Sequence, residues 1–195
     1  MDLCPAVCCF YSDGLVWLDT MEKKPVIKIA VVGAESTGKS WLCEALALQY
    51  QSVWVKEYAR TYFNDSDIYN YTLKDLEFIA EEQLRQEQNA VAQAARFLFC
   101  DTAMITLQIW AELEFESMSP ELKRLVGQGD YDFYLLCNNA IPWEADPQRL
   151  NKFSRDLIFD RNQSALLEAG CDFAIVEGLG DERLRNAIKI ISRLV

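Results

Sequence analysis

A short octet carries the first chemical signal in the chain. Gly33, Gly38, Lys39 and Ser40 in GAESTGKS match the pattern GxxxxGK[ST] in full, directly after the apolar run VIKIAVV. The amides of such a loop, with the helix N-terminus behind it, attract an anion. Lys39 would bridge the β- and γ-phosphates of a nucleotide, and the Ser40 hydroxyl would ligate Mg²⁺. Glycine is needed where the backbone meets phosphate too closely for a Cβ. The expected ATP-contacting set is therefore Gly33, Ala34, Glu35, Ser36, Thr37, Gly38, Lys39, Ser40 and Trp41.

A carboxylate at the end of a neighbouring strand is the usual second part of such a site, and FLFCDTA supplies Asp101. It would reach the metal, a role compatible with starting the next helix. A second strand ends in VKEYAR. Strand ends are where open α/β sheets bind ligands, so Glu57 is read as a proton acceptor or a clamp on sugar hydroxyls. Arg60 would orient a carboxylate or phosphate there, and Tyr58 or Tyr62 would stack on a ring. Further on, NNAIPWEADPQRLNKFSRD places Arg149, Lys152 and Arg155 in a basic segment of an acidic protein. Such a segment reads as a lid whose arginines neutralise charge on a transferring phosphoryl group. Charged strand ends and solvated helix faces also produce patterns of these kinds.

The spacing of apolar residues supplies the elements that position these groups. Strands are expected at 26–32, 53–56, 97–100, 132–137 and 173–178. Helices are expected at 40–50, about 73–95, 103–118, 119–126, about 163–169 and about 181–194, with Thr72 and Asp75 marking one start and Ser119-Pro120 another. Residues 64–72, NDSDIYNYT, read as a polar and aromatic loop. The alternation of apolar strands and helices implies an α/β fold of three layers, a five-stranded, mainly parallel sheet covered on both faces. The second strand is expected beside the third.

Composition narrows the chemistry. The chain has 195 residues, 51% of them hydrophobic, and a formal charge of −11. A non-specific grip on nucleic acid needs a cationic surface, so none is expected. There is no histidine, which removes His-based triads, His metal clusters and HxGH nucleotidyl transfer. No apolar run approaches the ~20 residues that span a bilayer. Cys43, Cys100, Cys137 and Cys171 stand singly in apolar segments and suit neither a disulfide framework nor a zinc ribbon, so a reducing cytoplasm is the expected compartment. Residues 1–24 read as an N-terminal extension carrying Cys4, Cys8 and Cys9, with a hairpin-like turn around SDG; MEKKPVIKIAVVG from Met21 resembles a natural start. Residues 25–195 form the expected catalytic domain.

Guanine-specific and motor readings fit poorly. LLCNNAIPW stands where NKxD would follow the fourth strand, Asp101 is followed by TAM rather than a DxxG pattern, and Asp101-Thr102 replaces the Asp-Glu of AAA-type motors. A small-molecule kinase remains.

Taken together, GAESTGKS, VKEYAR, FLFCDTAMITLQIW, and YDFYLLCNNAIPWEADPQR followed by Arg155 resemble the ribosylnicotinamide kinase domain of the bacterial NadR proteins, a P-loop ATPase/kinase group. The resemblance runs from about residue 26 to 190. It implies the P-loop kinase fold, ATP and Mg²⁺, and phosphorylation of the 5′-hydroxyl of nicotinamide riboside. Carried over by position, Gly33–Ser40 grip ATP, Ser40 and Asp101 serve the metal, and Arg149 and Arg155 form the lid. Glu57, Tyr58, Asn139 and Trp143 would lie near the riboside. NadR proteins carry an adenylyltransferase domain, some also a helix-turn-helix domain; neither is recognised here, so a stand-alone kinase is expected. The lid reads DPQR where Asp-Gly-x-Arg is the family's pattern. Glu57 and Asp101 both remain open as the general base, and adenine recognition is expected around Glu177–Asp181. Two alternatives stand beside this one: a kinase for another nucleoside or vitamin, and a regulatory ATP-binding protein using the helix near 73–95 as a partner surface.

Overall fold

The structure is a computed structural model that describes residues 25–194; the extension over 1–24, with its expected turn and cysteines, lies outside the described residues. The elements run β1 (Ile27–Val32), α1 (Lys39–Gln49), β2 (Val53–Val55), α2 (Tyr58–Asp65), α3 (Leu73–Val91), β3 (Phe97–Asp101), α4 (Met104–Phe115), α5 (Pro120–Val126), β4 (Phe133–Cys137), α6 (Arg155–Glu168), β5 (Phe173–Val176) and α7 (Gly180–Ile191). The five strands form one sheet in the order β2-β3-β1-β4-β5. Every pairing is parallel, and the second strand does lie beside the third.

Helices cover both faces because the central strands are apolar on both. In β1, Ile29 and Val31 pack with Leu42, Cys43 and Leu46 of α1 and with Ala187 and Ile191 of α7. Ala30 and Val32 point the other way, toward Ile105 of α4 and Leu166 of α6. The chain leaves β1 for β2 on one side of the sheet and leaves β3 for β4 on the other side of β1. The crevice outside the carboxyl ends of β1 and β3 is therefore the topological switch point. Parallel register brings Val31 beside Asp101 and Val55 beside Cys100, so the loops after β1, β2 and β3 emerge at one edge.

Local chemistry sets the helix starts. A reciprocal capping box joins Thr72 and Asp75 at the head of α3, and the Leu122 amide donates to Ser119 Oγ (3.0 Å) at the head of α5, where Pro120 needs no donor. The buried stripe of α1 is Leu42, Cys43, Leu46 and Ala47, leaving Leu48 81% exposed. Two expectations shift. Residues 58–65, partly read as a loop, form α2, which buries Ala59 and Phe63 one turn apart. Helix α6 starts at Arg155 rather than near 163, because buried Ile158 and Asn162 extend the stripe of Leu166 toward the N-terminus. Cys43, Cys100 and Cys137 are free and buried, and Cys171 is free and half-buried. Among the described residues no helix is long and apolar enough to cross a membrane.

Candidate active site

The loop after β1 has the backbone its sequence requires. Gly33 sits at φ 136, and a Cβ there would lie 2.7 Å from the Cys137 carbonyl oxygen. Gly38 caps α1 in the left-handed region. The first amides of α1 thus open toward the loop with no side-chain cap, as an anion site needs. Lys39 Nζ donates to the carbonyls of Gly33 (3.1 Å) and Ala34 (3.0 Å), and Thr37 Oγ1 donates to Ala34 O (2.8 Å). Behind the loop lies Arg183 of α7, fully buried. It donates to Thr37 O, to Gly178 O (2.9 Å), and to Asn138 O (3.2 Å) and Oδ1 (2.5 Å). These partners are carbonyl and amide oxygens, so the guanidinium pins the loop, the end of β4 and the turn after β5 to one another.

Asp101 ends β3 with 1% of its surface exposed, and its Oδ1 has no hydrogen-bond partner. Burial, then the Glu57 carboxylate, push its pKa up to about 6 against the pull of Lys39, the Ser40 hydroxyl and Arg60. An orphaned carboxylate oxygen beside a hydroxyl fits a hard divalent cation. Among the described residues no cluster of three or more His, Cys, Asp or Glu side chains could hold a metal. That donor set suits Mg²⁺, which takes one or two carboxylates and completes its shell with phosphates and water.

Two lobes of one cleft meet beside this carboxylate. The phosphate lobe, about 280 Å³, is lined by Ser36–Trp41, Ile141, Glu144 and Arg149. The second lobe, about 40 Å³, has walls from Phe63, Ile68, Thr106, Trp110 and Asn151. Lys39, Glu57 and Arg60 line both. The second lobe continues past Arg60, Phe63, Ile68 and Gln148 into an open groove of about 700 Å³. Arg60 Nε approaches Glu57 Oε2 at 3.4 Å and its Nη1 donates to Asp146 Oδ2 at 3.2 Å. Burial works against the Arg60 cation, but these two acids outweigh it and its pKa rises.

The irregular segment 138–154 closes over the loop. Asn151 donates from its amide (2.9 Å) and its Nδ2 (3.1 Å) to the Glu35 carboxylate. The Glu144 amide donates to Ser36 Oγ (2.9 Å). Arg149 lines the phosphate lobe and donates to Glu144 O (2.8 Å). Arg155 stands elsewhere: it donates to Ile141 O (2.9 Å) and Ser36 O (3.2 Å), lines neither lobe, and staples the segment to the loop. Burial lowers its pKa.

Of the residues expected near an acceptor, Glu57 and Arg60 stand in the cleft, whereas Tyr58, Asn139 and Trp143 line neither lobe. Tyr58 begins α2 and packs toward Phe78 of α3, with ring centroids 6.2 Å apart. Asn139 donates to Asp156 (2.9 Å) at the root of α6, and Trp143 is half-buried in the closing segment. Sequence reasoning missed Phe63, Thr106, Trp110, Asn151 and the brace Arg183. Thr106 and Trp110 had a signal: four residues apart, they share one face of α4. Arg183 had none, since its partners come from remote loops.

A glycine-rich loop between β1 and α1, a carboxylate at the end of an adjacent parallel strand and a closing basic segment define a P-loop protein with the fold of the nucleotide kinases. The AAA domain family matches residues 28–183, and the chain belongs to it. The Trifunctional NAD biosynthesis/regulator proteins NadR of Escherichia coli (strain K12) and of Salmonella typhimurium are each 30% identical over 135 residues, 66% of this chain and 32% of theirs. The chain thus spans about a third of the length of these relatives. A crystal structure of NadR protein in complex with NR superposes with a TM-score of 0.74 at 22% identity, covering 87% of this chain and 50% of that one. Thymidylate kinase from Candida albicans superposes at 0.59 and 12% identity, covering 87% and 92%. These likenesses show the fold.

Proposed function

We propose that this chain is an ATP-dependent small-molecule kinase that phosphorylates the 5′-hydroxyl of nicotinamide riboside. The observation that carries the kinase reading is the junction of the two lobes at Lys39, Glu57 and Arg60. A triphosphate-sized lobe opens there onto a smaller one with aromatic walls. The choice of nicotinamide riboside is supported by the likeness to NadR, whose relatives are named for NAD biosynthesis and one of whose structures holds NR.

In this reading the amides of Gly33–Ser40 hold the ATP phosphates, and Lys39 exchanges its two carbonyl partners for phosphate oxygens. Arg149, from the closing segment, takes up charge as it spreads over the γ-phosphoryl group. Ser40 and Asp101 would hold Mg²⁺, which when bound would supply further charge neutralisation. Glu57 accepts the hydroxyl proton as the alcohol oxygen bonds to the γ-phosphorus and the bond to ADP breaks. It suits that role better than Asp101, because Glu57 lines both lobes and Asp101 lines neither. Transfer of this kind rests on positioning and electrostatics, so a chain without histidine can perform it. Adenine would lie near the Gly178–Gly180 turn that Arg183 ties to the loop.

The test is ADP release by the purified chain across a panel of nucleosides and vitamins. Saturable release that depends on nicotinamide riboside and disappears in Lys39→Ala is expected. Release with another acceptor alone would reassign the substrate. Release indifferent to every acceptor, or full activity in Lys39→Ala, would defeat the kinase reading.

A further inference from the structure

A buried polar network lies beneath the site, and every bond in it runs in one direction. Its centre is Glu87 of α3, fully buried. Lys28 Nζ of β1 lies 2.8 Å from Glu87 Oε2. The other oxygen, Oε1, accepts from Gln83 Nε2 (3.0 Å) and from the Tyr131 hydroxyl (3.1 Å). A carboxylate paired with an ammonium offers acceptors only, so both neighbours must spend their donors on it. Gln83 then has its Oε1 left, and that oxygen accepts from the Tyr58 amide (2.8 Å). Tyr131 has its lone pairs left, and they accept from the Met104 amide (3.3 Å).

Those two amides open the helices that follow the two chemical strand ends. Tyr58 is the first residue of α2, directly after Glu57, and Met104 is the first residue of α4, three residues after Asp101. Neither helix is capped by the side chain at its own cap position. Glu57 occupies the cap position of α2 and its side chain caps no amide. A cap side chain would reach the second or third amide; Gln83, from across the α2–α3 interface, takes the first, that of Tyr58, and so ties down the backbone directly after Glu57.

We propose that Glu87 is a positioning residue for both strand-end loops: through Gln83 it anchors the first turn of α2, and so the backbone from which Glu57 reaches the cleft, and through Tyr131 it seats the turn that carries Asp101. The catalytic meaning rests on the kinase reading above; the mechanical linkage does not. A buried ion pair serving packing alone would hold α3 against β1, with no directional bond to either loop.

The two branches are cut separately in the full chain by Gln83→Met and Tyr131→Phe, which keep most of the side-chain volume. Amide hydrogen exchange is read at Tyr58 and Met104. Gln83→Met speeds exchange at Tyr58 about tenfold or more and leaves Met104 protected; Tyr131→Phe does the reverse. Glu87→Gln speeds both, and the single-branch variants decide the matter should that protein fail to fold. Unchanged protection at Tyr58 in Gln83→Met overturns the linkage, whether or not an acceptor is known. In turnover, Gln83→Met lowers kcat about tenfold, within the range that a misplaced catalytic group costs, and this loss disappears in a Glu57→Gln background. An equal loss in both backgrounds overturns the positioning role. Wild-type protein without acceptor-dependent ADP release defeats the kinase reading instead, and leaves the exchange experiment to judge the linkage.

Discussion

Arg183→Lys keeps the charge behind the phosphate loop and removes the fork. In the native chain one guanidinium reaches Thr37 O, Gly178 O and both oxygens of Asn138, on three separate segments. A lysine ammonium is a point donor on a different stem and can meet one of those segments at a time. At least two buried carbonyl groups then lack a partner, at about 1–3 kcal/mol each. The expected loss is about 3 kcal/mol, a large share of the roughly 5–15 kcal/mol that holds a domain folded. With a urea slope of about 1–3 kcal/mol per molar, the midpoint falls by about 1–3 M. Because Thr37 belongs to the phosphate loop, the affinity for a non-hydrolysable ATP analogue weakens too, by about tenfold, or about 1.4 kcal/mol. Urea unfolding followed by fluorescence gives the first number and calorimetric titration the second, with the exposed Arg193→Lys as the control. A midpoint within experimental error of wild type, together with unchanged affinity, would refute the view that Arg183 braces the loop.

Gly33→Ala abolishes nucleotide binding, because its Cβ would meet the Cys137 carbonyl oxygen at 2.7 Å and φ is 136 there; titration with the same analogue measures it. Asp101 has a folded pKa raised to about 6, above its unfolded value, so its ionisation opposes folding above that pKa and the penalty lifts as pH falls from about 6 toward 4. In chelator-treated protein Asp101→Asn is therefore more stable than wild type at pH 7, by about 3 kcal/mol, while its Mg²⁺-dependent turnover is lost; urea unfolding at pH 5 and pH 7 shows the difference narrowing at the lower pH. Thr106 lines the smaller lobe, and its buried Oγ1 has no hydrogen-bond partner. Thr106→Val raises the acceptor KM several-fold and leaves that for ATP unchanged, as steady-state ADP release will show.

The parts of the site that depend on neighbours in sequence were legible from the sequence. Gly33, Gly38, Lys39 and Ser40 lie within one loop whose backbone demands those residue types, and the apolar stretch before them could only be a buried strand. Thr72 with Asp75 and Ser119 with Pro120 marked helix starts for the same local reason. What escaped depends on distance through space. Helix α2 hides behind the polar run NDSD because just two of its residues, Ala59 and Phe63, are buried. Arg155 read as a phosphate-facing cation since a charge pattern cannot show that carbonyls at Ser36 and Ile141 receive it. Tyr58, an aromatic beside Glu57, turns toward α3 because the first turn of a helix sends successive side chains to different faces.

The segment over the phosphates is lashed to the loop at Glu35 by Asn151 and at Ser36 by Glu144 and Arg155. The cover and the cradle consequently behave as a single mechanical part. If the chain is the kinase proposed above, whatever loosens one to admit an alcohol would also slacken the grip on the nucleotide, and a stray water would gain its chance only during the brief interval when the alcohol does. Thrift with ATP would then follow from how the cover is fastened, without any separate device to keep water out.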